Sequence, residues 1–195
     1  MLSPGPEAGI TSALEALREA TRSRHVKLAS CRSMARLFDP DYSVSEYRDH
    51  LGRLLGLFEP LEQAVASVAG PSHLVRSIRR VRDLREDLSR MGAGATEIDA
   101  FERCPCLPPI GAEGVHGYAY VALGSLLGAK IIVKQLRTVL GQGASFGFYG
   151  DEKGRYEGLW RIFLQNLEEN GRNDIPAICL TAAGIFDAYE AWFSQ

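Results

Sequence analysis

Apolar residues recur at intervals of three and four along most of the chain, the spacing of one helical face. Leu14, Leu17, Thr21, His25 and Leu28 form the first such stripe. A second helix is expected to start near Ser43 or Ser45, with Ser45 able to cap it and Tyr47, Leu51, Leu54, Leu55 and Phe58 supplying its stripe. Pro60 is expected to interrupt that helix, since proline removes a ladder hydrogen bond, and Gly70-Pro71 to end it. Further helices are read over 73–90, 97–103, 113–140, 153–170 and 174–193. CPCLPP (104–109) and GQGASFGFYG (141–150) are read as connections. No stretch alternates as a strand would, so the expectation is a single all-α domain over residues 10–195 behind a loose leader at 1–9.

Composition narrows the classes. A length of 195 residues suits one domain with a real core. The formal net charge of -2 lacks the basic excess of a nucleic-acid binder. MLSPGPEAGI has no basic n-region, and the most apolar stretch, 118–133, is short for a membrane span and contains Lys130. Four cysteines in a chain of this size do not make a disulfide framework. These features lead to the expectation of a cytoplasmic protein with free thiols.

Two helices carry chemistry. In LREATRSRH (17–25), His25 lies at the edge of an apolar arc of roughly 80°, with Arg18 and Arg22 bordering that edge. Such a histidine is either a partly buried packing residue or an axial iron ligand, with the cations free to meet a ligand's carboxylates. In GYAYVALGSLLGAKIIVKQL (117–136), Gly117, Gly124 and Gly128 share one face within about 40°. Each interior glycine costs a helix about 1 kcal/mol relative to alanine, so their alignment implies close approach of another helix or of a flat ligand. Ser125, beside that face, is placed to orient a hydrogen bond.

Together, LREATRSRH and YVALGSLLGAKI resemble the proximal and glycine-rich distal helices of the haem oxygenase family. FGFYGDEKGRYEGLWRIFLQNLEE (146–169) resembles the aromatic turn and following helix of the same family, and the order and spacing of all three agree. Bacterial, phytochrome-associated members look closest. The resemblance implies a helical bundle with haem, both cofactor and substrate, between the two helices, His25 as iron ligand, and Gly124, Ser125 and Gly128 around the reacting face. It also implies Arg18, Arg22, Lys134 and Arg161 as candidates for the propionates. The implied reaction is oxidative cleavage of haem to biliverdin, carbon monoxide and iron, with electrons from a ferredoxin or a reductase and hand-over of biliverdin to a bilin-binding protein.

The chain departs from the family pattern at three positions. Ser125 stands where animal members carry aspartate, Leu123 where many bacterial members carry glutamate, and Ala29 where some members place a glutamate that orients the imidazole. These departures keep a non-degrading haem-storage protein open as the alternative. A thiaminase-like member of the same superfamily would need a nucleophilic cysteine or a carboxylate/histidine metal set, and neither constellation is seen. CPC lacks zinc-site spacing, and His50, His73 and His116 read as structural or surface residues. RSIRRVRDLREDLSR (76–90) reads as a solvated, charge-interleaved face, a candidate dock for an acidic reductase.

Overall fold

The computed structural model describes residues 6–69, 73–78, 80–150, 154–170 and 174–195. The helices are α1 (Pro6–Ser30), α2 (Arg32–Ala35), α3 (Val44–Val68), α4 (His73–Ser77) and α5 (Arg80–Arg90). They continue with α6 (Ala95–Ala100), α7 (Gly114–Leu127), α8 (Ala129–Leu140), α9 (Arg155–Asn170) and α10 (Ile175–Phe193). No strand occurs among the described residues. The fold is all-α, as the periodicity implied. α1 begins at Pro6, inside the stretch expected to be a leader. Among the described residues, no single helix is long and apolar enough to cross a membrane.

Several expected boundaries move, each for a local physical reason. Ser43, not Ser45, caps α3: its hydroxyl accepts from the Glu46 amide while the Glu46 carboxylate reaches back to the Ser43 amide. Pro60 does not interrupt α3. The carbonyl it would have bonded, that of Gly56, accepts instead from the Cys104 amide at 2.9 Å, so the missing proline N–H leaves no orphan. The stretch 73–90 is two helices, and the stretch 113–140 bends by 47° at Gly128, separating α7 from α8.

The core is built from α1 lying along α10, α10 along α7, and α3 along α5. Leu51, Leu54, Leu55, Leu57 and Phe58 of α3 are fully or almost fully buried, each stabilising the fold by about 1.5–3 kcal/mol. On its outer flank α1 is tied to α10 by Arg24 to Asp187 at 2.9 Å and Lys27 to Glu190 at 2.8 Å. These exposed pairs contribute little energy but fix which face of α1 turns inward.

The charged stretch 76–90 is not a solvated face throughout. Arg80 and Asp87, two helical turns apart on one side of α5, are completely buried. Asp87 accepts from Ser145 Oγ at 2.6 Å and from the Gly147 and Phe148 amides at 2.8 Å each. Arg80 donates to the Phe148 carbonyl at 2.8 Å and stacks 3.6 Å over the Phe148 ring. Both charges therefore hold the connection before α9. Alternation of sign along α5 concealed this, because burial depends on what packs against the helix.

His50, read as a structural or surface residue, is buried and shares a 2.6 Å hydrogen bond between Nε2 and the Tyr149 hydroxyl. Burial, with a smaller contribution from the Arg53 charge, pushes its pKa down to about 3. The unfolded chain takes up a proton near pH 6.5 and the folded chain does not, so stability is full above that pH and declines below it. From pH 6.5 to 5 the expected loss is about 2 kcal/mol, at 1.4 kcal/mol per unit. Urea unfolding of the wild type and of His50→Gln at both pH values checks this; the variant should show a shallower pH dependence.

Candidate functional site

A cleft of about 360 Å³ opens between α1 and α7, closed behind by α10 and the connection before α9. His25 projects into it from α1, exposed, with its ring edge-on to Phe186 at 5.9 Å between centroids. One turn earlier, Thr21 is buried on the same stripe. Its hydroxyl donates to the Leu17 carbonyl at 2.7 Å and lies 3.2 Å from the Tyr120 hydroxyl of α7. That contact spaces the two walls. Arg18 lines the same cleft, so the first helix presents an imidazole and a guanidinium together.

The opposite wall is set by glycines that share a face in sequence but have different surroundings. A Cβ at Gly117 would stand 2.6 Å from the Ile178 carbonyl oxygen and 2.9 Å from the Ala182 amide, so Gly117 is there to let α7 press on α10. A Cβ at Gly124 or Gly128 would meet nothing within 4 Å. These two face open space, across the cleft from His25. Opposite stability effects follow for the two alanine variants. Gly117→Ala should cost about 1–3 kcal/mol through backbone overlap. Gly124→Ala should gain up to about 1 kcal/mol from helix propensity, raising the melting temperature by roughly 2–4 °C. Thermal denaturation of the two variants measures the difference.

Aromatic rings finish the enclosure. Tyr120 and Trp160 meet at 6.2 Å, and Phe148 and Tyr149 make an edge contact at 4.9 Å, all four lining the cleft. Burial and nearby tyrosines hold the Tyr149 hydroxyl well above the ordinary phenol range, so it stays protonated and bonded to His50. The walls are thus mostly apolar, with one imidazole and one guanidinium. Among the described residues, no three His, Cys, Asp or Glu side chains converge as a metal site. A lone imidazole suits a metal that arrives with most of its ligands already in place.

A profile of the Heme oxygenase family matches residues 11–195. The chain belongs to the haem oxygenase family. A search of curated proteins finds no match. Among solved structures, the chain is similar to the crystal structure of heme oxygenase-1 from the cyanobacterium Synechocystis in complex with heme. The similarity has a TM-score of 0.63 at 18% sequence identity and covers 93% of this chain and 90% of that one. At that identity the likeness speaks for the fold.

Against the family pattern, the expected site residues divide into two groups. His25, Arg18, Gly124, Ser125 and Gly128 all line the cleft. Arg22 pairs with Glu19 at 2.9 Å, both side chains largely in solvent, and does not line it. Arg161 is exposed on α9, outside the lining, whereas its neighbour Trp160 is part of it. Lys134 faces a separate groove beyond the Gly128 bend, as does Leu123. The Ser125 hydroxyl bonds back to the Ala122 carbonyl of its own helix at 3.1 Å. Ala29 lines the cleft one turn after His25, offering no polar group to it. His116 is half-buried against the Asn166 backbone, with burial lowering its ionisation below the usual histidine range, and His73 is exposed; neither lines the cleft.

Sequence reasoning did not single out Tyr120, Tyr149, Phe186 or Tyr189 as cleft residues. Tyr120 is spaced one helical turn from Gly124, which was a readable signal. Phe186 and Tyr189 share the stripe of α10, but nothing local says which helix that stripe meets.

Proposed function

We propose that this protein is a haem-degrading monooxygenase that cleaves haem to biliverdin, carbon monoxide and iron with dioxygen and supplied electrons. The observation carrying the reading is the lone His25 facing the open Cβ positions of Gly124 and Gly128 across an apolar cleft. When bound, haem supplies the iron that binds dioxygen and is itself the ring that is opened.

The chain's own residues have separable roles in this reading. The His25 imidazole holds the iron from α1, and Arg18 pairs with a propionate at the rim. Gly124 and Gly128 leave room for dioxygen against the α7 backbone. Phe148, Tyr149 and Phe186 exclude water from the ring. Tyr149 is kept in place by His50, and its connection by Asp87 and Arg80. Arg22, Lys134 and Arg161 lie outside the cleft lining, which leaves Arg18 as the principal carboxylate partner. The electrons come from a cytoplasmic donor such as a ferredoxin or a reductase, and biliverdin passes to a bilin-binding protein.

Ser125, spent on its own helix, and Ala29, with no group for the imidazole, favour one second reading: a haem-binding protein that does not degrade its ligand. Aerobic incubation of the haem complex with ascorbate or a ferredoxin system separates the two. The monooxygenase turns green and yields a bilin resolvable by chromatography. A Soret band that persists through reduction in air overturns the enzyme reading.

A further inference from the structure

A second cavity of about 700 Å³ adjoins the cleft on the far side of the Gly128 bend, sharing Leu127 and Tyr149 with it as common walls. The 47° turn swings α8 away from the line of α7 and opens this groove. Its floor is apolar, from Leu123, Leu126 and Val133. Along one bank Lys130, Lys134 and Arg137 stand four and three residues apart, one stripe of α8. Tyr149 and Tyr156 form the other bank, where Glu157 is the one carboxylate among the described lining residues. An apolar floor beside three cations and one acid fits an amphipathic dicarboxylate better than a small inorganic anion or a neutral ligand.

Resting on the proposed reaction, the same chemistry names the ligand. Ring opening and loss of iron remove the bond to His25, which leaves a flexible molecule with a broad apolar body and two carboxylates. Apolar contact and charge become the main means of holding it, and the groove next door offers both. We propose that this groove is a product subsite, which takes the open-chain tetrapyrrole by its carboxylates as it leaves the cleft past Leu127 and Tyr149. Haem, still anchored by His25 between α1 and α7, makes no use of it.

The test is a pair of equilibrium titrations on the full-length protein, one with biliverdin and one with haem. Each is followed by the ligand's visible absorption and by quenching of tryptophan fluorescence. Lys130→Glu and Arg137→Gln are the variants, and both positions lie outside the haem cleft lining. Lys130→Glu is expected to weaken biliverdin about tenfold and Arg137→Gln severalfold, with haem affinity unchanged within about twofold. Raising salt should weaken biliverdin more than haem. Unchanged biliverdin affinity in both variants overturns the subsite. So does equal weakening of both ligands, since the cations would then serve haem itself. A wild type that takes up biliverdin through Lys130 but never haem overturns the proposed reaction and leaves the groove assignment in place.

Discussion

Replacing His25 by alanine should leave a folded protein that has lost its hold on haem iron. His25 is exposed on α1, and alanine favours a helix, so the unfolding free energy should change by no more than about 0.5 kcal/mol. The other residues lining the cleft stay in place. What disappears, on the proposed function, is the imidazole–iron bond. Groups that merely orient a metal ligand contribute 10–100-fold in affinity, so loss of the ligand itself should weaken haem on the order of 100-fold or more. The Soret band should move from that of nitrogen-ligated haem toward that of water-ligated or free haem, and turnover should vanish. Added imidazole, small enough for the space vacated, should restore the ligated spectrum. A variant that keeps wild-type affinity and an unchanged Soret band would exclude His25 as the ligand.

Asp87→Ala should be the most destabilising single change outside the apolar core. Three donors of one connection, the Ser145 hydroxyl and the Gly147 and Phe148 amides, converge on this completely buried carboxylate. Truncation strands them away from water and loosens the connection whose Phe148 carbonyl accepts from the completely buried Arg80. The expected cost is about 3–5 kcal/mol, a fall in melting temperature of roughly 6 °C at the least. Asp87→Asn keeps one acceptor oxygen and should recover part of the loss. The connection also carries Phe148 and Tyr149 into the cleft, so haem uptake should weaken in the variant even where it remains folded. Urea unfolding and haem titration of the same preparation measure both effects, and a loss below about 1 kcal/mol would show that water replaces the carboxylate.

The helices were legible because their stripes are local. Spacing of three and four in residues 14–28 is enough to build α1 and to set His25 at the edge of its buried face. Gly124 and Gly128 were legible for the same reason, as costly residues repeated on one face. Their difference from Gly117 was not. All three glycines share that face, yet one meets the α10 backbone and the other two meet space. The cations misled similarly: Arg18 lines the cleft and Arg22, four residues later, pairs with Glu19 in solvent. Pro60 misled because its helix is repaired by Cys104, a residue distant in sequence.

By itself the sequence determined the all-α class, the order of the two cleft helices, and the placement of His25, Gly124 and Gly128 on the faces of those helices. Hydrophobic period and glycine cost act between near neighbours, so the chain alone specifies them. Tertiary structure decided which glycines are open, which cations reach the cleft, and that Asp87 and Arg80 are buried beneath its floor. Those outcomes depend on desolvation and contact between segments far apart in sequence, and no local period encodes them.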